Sequence, residues 1–260
     1  MKRRKRVLFV VAHQDDECFM STRIAWEVRQ GHRVLFACLT DGAARGVPTG
    51  RRNAESTHVL TRLGLASSDV FFVGSARAIP DGRLHRHFER AFEGLRRAFH
   101  AVEIDQIYTT AYEGGHQDHD AAQVLALALA RERGIIDGTF QMPLYNGFRT
   151  RSKFFRVGNP LAANGSVERR SLSGERVWFH AFLCRYYTSQ RIPWLGLFPG
   201  RFAQLCLWRR EVVQAADPKR IRERPHDGPL LYERRAGPDF DEFSASREAF
   251  LDDGTGDDSS

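Results

Sequence analysis

The first 146 residues alternate between short, unbroken apolar runs and longer stretches with apolar residues at helical spacing. Arg6–Ala12 (RVLFVVA) is almost wholly apolar and stops at a polar cluster, the pattern of a strand buried on both faces. Glu17–Gln30 offers Phe19, Ile24, Ala25 and Val28 to an apolar face, and Gly31 ends it. Arg33–Thr40 predicts a second buried strand, ending at Asp41-Gly42, and Arg52–Leu63 predicts a helix closed by Gly64. Val70–Val73 is a third strand. Leu84–Val102 predicts one long helix bearing Leu84, Phe88, Phe92, Leu95 and Phe99. Gln106–Thr110 is a fourth strand, Asp120–Arg133 a helix and Thr139–Tyr145 a fifth strand. This alternation predicts an α/β fold, Rossmann-like, with a mostly parallel sheet covered by helices on both faces. Ligands of such sheets sit beyond the carboxyl ends of the strands, so the residues just after each strand are the candidates for chemistry.

After Arg149 the pattern weakens. Residues 151–175 are polar and Gly/Asn-rich, whereas Trp178–Tyr187 and Phe202–Val213 have helical spacing. The expected organisation is one domain over residues 1–236, with a core to residue 146 and a C-terminal elaboration over 147–236. Residues 237–260 are expected to be an acidic, solvated tail with a disordered end.

Composition narrows the classes. Lys and Arg total 39 against 32 Asp and Glu, a net +7, but the charge is uneven. Residues 237–260 hold eight acidic side chains and one arginine, so they carry −7 and the remaining body +14. A body this basic suits an anionic substrate or surface. No apolar run approaches the roughly 18 residues of a membrane span. The basic leader Lys2–Arg6 precedes an apolar run of only six residues (7–12) that Asp15, Asp16 and Glu17 soon follow. It therefore reads as the start of a strand, without an export signal. Cys18, Cys38, Cys184 and Cys206 form no Cys-x-x-Cys pair and read as reduced thiols in a cytoplasmic protein.

Strand one runs into Ala12-His13-Gln14-Asp15-Asp16-Glu17, and strand four leads to Gly114-Gly115-His116-Gln117-Asp118-His119-Asp120. Taken singly, an Asp-Asp-Glu at a helix start complements the helix dipole, and a His-x-x-His is a surface pair. Together, at one edge of a parallel sheet, they form a nitrogen/oxygen donor set suited to a divalent ion.

These two motifs resemble those of the LmbE-like (PIG-L) zinc-dependent N-deacetylases, whose pattern is Ala-His-Pro-Asp-Asp-Glu followed by His-x-Asp-His. Arg52-Asn53-Ala54-Glu55, Leu63-Gly64 and, more weakly, Tyr187-Thr188-Ser189-Gln190 extend the resemblance, which is best over residues 6–146. The resemblance implies that His13, Asp16 and His119 bind Zn²⁺, a donor set that also accepts Fe²⁺. It implies Asp15 as the general base toward the attacking water. His116 would be the electrophile or general acid, with Asp118 holding its ring. Arg52 becomes a candidate substrate contact, although Arg52 and Glu55 could equally form a surface ion pair. Gln14 stands where the family has proline, which is expected to loosen the loop between the ligands. Asp41 lies at a strand end, where it could also simply begin a turn.

The implied activity is removal of an N-acetyl group from an N-acetylglucosamine-type conjugate. The substrate would be a small or lipid-linked amino sugar, with no nucleic acid as partner. The alternatives are an amidase acting on another sugar conjugate and a non-catalytic basic binding protein. The stretch 186–202 is aromatic, apolar and flanked by arginine. It suits either a lipid–water interface, making the protein peripheral to the inner face of a membrane, or a loop tucked onto the core.

Overall fold

The computed structural model describes residues 3–43 and 46–253; Lys2 of the basic leader and residues 254–260 of the acidic segment lie outside the described residues. Its centre is a seven-stranded sheet. Strands β1 (Arg6–Val11), β2 (Arg33–Cys38), β3 (Val70–Phe72), β4 (Gln106–Thr110) and β5 (Thr139–Met142) are parallel. Two further strands, β8 (Val167–Ser171) and β9 (Arg210–Ala215), extend the sheet antiparallel, in the order β3-β2-β1-β4-β5-β9-β8. A small ribbon pairs β6 (Tyr145–Asn146) with β7 (Arg156–Val157). Strand order reverses between β1 and β4, which opens a crevice above their carboxyl ends.

The apolar strands are unbroken because both faces are buried. Leu8, Val10, Leu35 and Ala37 face one hydrophobic cluster, and Val7, Phe9, Val11, Val34 and Phe36 face another. The first cluster includes side chains of α4 (Phe88–Ala98), α5 (Gln117–Glu132) and α9 (Phe240–Asp253). The second includes side chains of α1 (Glu17–Arg29) and α2 (Thr49–Arg62), with Trp194 of α7 (Arg191–Phe202). The remaining short helices are α3 (Val73–Arg77), α6 (Val177–Ala181) and α8 (Leu231–Arg234).

Three sequence expectations need correction. The single helix over 84–102 is a 3₁₀ turn at Leu84–Arg86, a break at His87 (φ −136°) and then α4. Leu84 opens the turn, so its backbone N–H is free and donates to Asp118 in the site. The helix over 202–213 is instead the end of α7, a π turn at Ala203–Leu207, a left-handed Arg209 (φ 48°) and β9. Val212 and Val213 belong to a strand that pairs with β8, and β-branched residues fit that pleated surface.

The third correction concerns the acidic segment, which is not solvated from Gly237 onward. It forms α9, which buries Phe243 and Phe250 against Phe88. The one arginine of the segment, Arg247, is buried and donates to the hydroxyl of Tyr112 (3.0 Å). Glu242 and Glu248 pair with Arg86 and Arg222 of the body.

Candidate metal centre

The two histidine-bearing motifs meet in the crevice between β1 and β4. The chain leaves β1 through His13 and turns into α1, whose N-cap is Asp16. It leaves β4 and turns at Gly114 and Gly115 into α5, whose N-cap is His116. Gly115 is required by closeness: a Cβ there would lie 1.9 Å from the backbone oxygen of Tyr145.

Three donors converge. His13 Nδ1 lies 3.3 Å from His119 Nε2. Asp16 places Oδ1 3.1 Å from His119 Nε2 and Oδ2 3.6 Å from His13 Nδ1. All three residues are buried, at 7% exposure or less. A tetrahedral ion with bonds of about 2.1 Å needs neighbouring donors about 3.4 Å apart, so these separations fit a cation between them. Two facing imidazole nitrogens and a carboxylate, all withdrawn from water, would otherwise leave lone pairs opposed. The opposite nitrogen of His13, Nε2, lies 3.1 Å from Asp118 Oδ2 and 3.3 Å from Asp81 Oδ1. A carboxylate behind a ligating histidine fixes its tautomer and raises its basicity.

Asp118 therefore does something other than the sequence implied. Its carboxylate holds His13 and accepts backbone N–H groups of Gly82 (2.6 Å) and Leu84 (2.9 Å). The group that holds His116 is the Asp118 backbone N–H, which donates to His116 Nδ1 (3.2 Å). That bond leaves the ring proton of a neutral His116 on Nε2. Burial, helped by the charge of His13, pushes His116 down to about 4, so the ring is neutral near pH 7. It can still donate from Nε2, as a neutral imidazole rather than an imidazolium.

Asp15 sits beside the donors in a constrained backbone (φ 116°). Oδ1 accepts from Arg52 Nη2 (3.2 Å), Oδ2 from the Trp194 indole (3.0 Å), and the backbone N–H of Asp15 donates to Glu17 (2.9 Å). Burial raises the Asp15 carboxyl above its ordinary range, and the Arg52 guanidinium opposes that shift. Arg52 is itself only 1% exposed and pairs with Asp15, so it positions that carboxylate and is not half of a surface pair with Glu55. Glu55 instead accepts from Thr188 (2.9 Å) and from Ser189, and its ion pair is with Arg51. Tyr187 and Ser56 donate to Glu17, and burial pushes the Glu17 carboxyl up to about 7. The weak Tyr-x-Ser-Gln match thus ties the C-terminal elaboration to the loop that carries His13, Asp15 and Asp16.

Gln14 does not leave that loop loose. It is fully buried, and its amide donates to Asn53 (2.7 Å) and to the Asp41 carbonyl (3.3 Å). Gly42 (φ 64°) makes room for it, since a Cβ there would lie 2.2 Å from Gln14 Oε1. Asp41 proves to be a turn residue, its carboxylate accepting from the backbone of Ala43 and Asp81.

The sequence of residues 8–130 matches the PIG-L family, described as GlcNAc-PI de-N-acetylase. Over those residues the chain is similar to the PIG-L/LmbE-like family. Solved structures share the fold of this chain at low identity. A deacetylase of the teicoplanin biosynthesis pathway is 20% identical with a TM-score of 0.59, over 80% of this chain and 96% of that one. The A40926 pseudoaglycone deacetylase is 18% identical with a TM-score of 0.61, over 83% and 99%. The N,N′-diacetylchitobiose deacetylase of Pyrococcus horikoshii is 16% identical with a TM-score of 0.55, over 82% and 84%. No curated protein sequence matches the chain significantly.

Residues that sequence reasoning missed have weak local signals. Asp81 lies in Pro80-Asp81-Gly82, which reads as turn chemistry, and Trp194 lies more than 170 residues from the motif it touches. Glu113, just before the Gly-Gly turn, braces the candidate site from behind. It accepts the backbone N–H groups of Leu144 (2.7 Å) and Tyr145 (2.8 Å) and the amide of Asn146 (2.9 Å).

Proposed function

We propose that this protein is a metal-dependent hydrolase that removes the N-acetyl group from an N-acetylglucosamine-type sugar conjugate. The observation that carries the reading is the convergence of His13, Asp16 and His119 with a separately held carboxylate, Asp15, at the switch point of the sheet. A structural ion needs only ligands; the extra carboxylate beside the donors is what hydrolysis requires.

His13, Asp16 and His119 would hold Zn²⁺, with Fe²⁺ as the other ion this donor set accepts. Bound there, the ion supplies Lewis acidity that lowers the pKa of a coordinated water toward about 7 and polarises an amide carbonyl. Asp15 accepts the proton of the attacking water at the oxygen not engaged by its stronger donor. Arg52 and Trp194 hold its carboxylate in place through that transfer. His116, protonated at Nε2, donates to the carbonyl oxygen as negative charge develops on it. The proton on Asp15 then passes to the leaving amine, and acetate and the free amino sugar separate. Asp118 keeps His13 in the tautomer that leaves Nδ1 free for the ion.

The reading is tested by incubating metal-loaded protein with N-acetylglucosaminyl phosphatidylinositol, diacetylchitobiose and an N-acylated glycopeptide, then measuring released acid. Release that stops with chelator and returns with metal is the expected result. Absence of acid from every sugar amide in metal-replete protein overturns it. Cleavage confined to an amide other than N-acetyl would favour the amidase alternative.

A further inference from the structure

Helix α7 has one face on the candidate site and the opposite face in solvent. Inward, Trp194 is buried, stacks on Phe19 at 5.2 Å and donates to Asp15. Outward, Ile192, Leu195, Gly196 and Pro199 recur at i, i+3, i+4 and i+7 and are all exposed. Ile192 is 74% and Leu195 77% exposed. A surface helix of a water-soluble domain ordinarily turns polar side chains outward at such positions. Beside α7 runs the segment 149–156, in which Phe155 packs against Gly196. This segment holds up Phe154, 75% exposed, among the exposed cations Arg149, Arg151, Lys153 and Arg156. Trp178 (60% exposed) and Phe182 stack at 6.1 Å, and Phe182 meets Phe198 of α7 at 5.3 Å, which continues the apolar surface. Neither residues 138–167 nor residues 177–210 contain a single Asp or Glu.

Large apolar side chains standing in water among cations, without any acid, match one kind of surface. We propose that α7 and the 149–156 segment dock this protein onto an anionic lipid bilayer. Ile192, Leu195 and Phe154 enter the boundary between headgroups and acyl chains, and the surrounding Arg and Lys side chains meet the lipid phosphates. A second copy of the chain is a poorer occupant, because a twofold contact would set one cationic rim against another. No helix among the described residues is long and apolar enough to cross a membrane, so the contact is peripheral. The docking face and the indole that holds Asp15 lie on opposite faces of the same helix, so docking would place the site one helix thickness behind the lipid surface. This inference concerns where the protein sits and stands whichever amide it cleaves.

The test is flotation of the full chain with two vesicle types, pure phosphatidylcholine and phosphatidylcholine containing roughly one-third phosphatidylglycerol, at low and physiological salt. The wild type is expected to float with the anionic vesicles, more weakly as salt rises, and hardly at all with neutral ones. The triple variant Phe154→Ser/Ile192→Ser/Leu195→Ser is expected to lose at least tenfold in vesicle affinity. Its circular dichroism should not change, because these side chains already face water. Arg151→Gln/Lys153→Gln should lose on the order of twentyfold, with a flatter salt dependence, at about fivefold for each basic group near an anionic surface. Failure of the wild type to float with anionic vesicles at low salt overturns the proposal, as does full vesicle binding by the triple variant. A wild-type dimer that the triple variant converts to monomer would instead assign this face to a second copy and overturn it equally.

Discussion

Replacing Asp15 with asparagine separates the base from the ligands more cleanly than any other change to the site. The side chains are isosteric, and Asp15 is not among the converging donors His13, Asp16 and His119. Its two oxygens accept from Arg52 at 3.2 Å and from Trp194 at 3.0 Å. An asparagine has one oxygen, so it keeps one of these bonds and turns an N–H toward the other donor. The lost charge-assisted hydrogen bond is worth about 1.5–3 kcal/mol. Arg52, only 1% exposed, also loses its partner, which alone would cost about 3–5 kcal/mol. Burial already disfavours the Asp15 carboxylate, however, and the neutral amide escapes that penalty. The net destabilisation should therefore be on the order of 2 kcal/mol, a fall in Tm of several degrees for a domain of this size. Activity should fall much further, by about 10²–10⁴-fold in kcat/KM, the usual loss when a general base is removed. The assay is acid release from the best sugar amide, run beside metal content by elemental analysis and thermal melting. Near-normal turnover in metal-replete Asp15→Asn would refute the assignment of Asp15. Loss of turnover together with loss of metal would show that Asp15 acts through the loop that carries Asp16.

Three further outcomes follow from the same geometry. Because the Arg52 guanidinium draws the Asp15 carboxyl downward, Arg52→Met should move the acid limb of the kcat/KM profile to higher pH, and Arg52→Lys should restore part of the shift; an unchanged limb would remove Arg52 from the site's electrostatics. Burial, reinforced by Arg201, lowers His180 to about 4, so the folded state stays neutral while the unfolded chain protonates as pH falls below about 6.5. The stability that His180 contributes is then full above that pH and falls by about 2 kcal/mol by pH 5, and urea melts of His180→Asn should lack this share of the acid loss. Ending the chain at residue 239 should destabilise it by at least 3 kcal/mol, the burial of Phe243 and Phe250 on α9, and expose a surface that binds a hydrophobic dye; a melt unchanged from the full chain would mean that α9 contributes no packing.

What the sequence made legible was local. The unbroken apolar runs at 6–12 and 33–40 could only be strands buried on both sides, and the alternation around them left little choice but a parallel sheet. The clusters that hold His13, Asp16 and His119 were legible because each follows a strand, and the fold rule brings those strand ends together; the choice of these three within the clusters came from the family resemblance. The errors arose where the deciding partner is distant in sequence. Phe202–Val213 has helical spacing, yet pairing with β8 makes its last residues a strand. The acidic charge of 239–253 hid a helix because Phe243, Arg247 and Phe250, one stripe at i, i+4 and i+7, outweigh the surrounding charges once α4 and α5 supply a surface.

The roles within the site divide along the same line. Which residues would hold an ion is what the family resemblance implied, but which residue orients which depends on the directions of individual hydrogen bonds. His116 and Asp118 are two residues apart, and a side-chain pairing between them is the natural reading of a His-x-Asp-His motif. At the start of a helix, however, backbone N–H groups are free. The Asp118 N–H takes His116 Nδ1, and its carboxylate is left to turn toward His13, 105 residues away. A helix N-terminus thus does two tasks with one residue: its N–H sets the tautomer of His116, the proposed donor to substrate, and its side chain sets the tautomer of His13, the proposed ligand. Asp118→Asn should for that reason weaken metal affinity, in the range of 10–100-fold seen when such partners of a ligating histidine are lost, while leaving the His116 tautomer in place. Competition with a calibrated chelator measures the first, and imidazole nitrogen shifts of His116 measure the second. A variant that keeps its metal affinity but changes the His116 tautomer would return Asp118 to the role that its motif position alone implies.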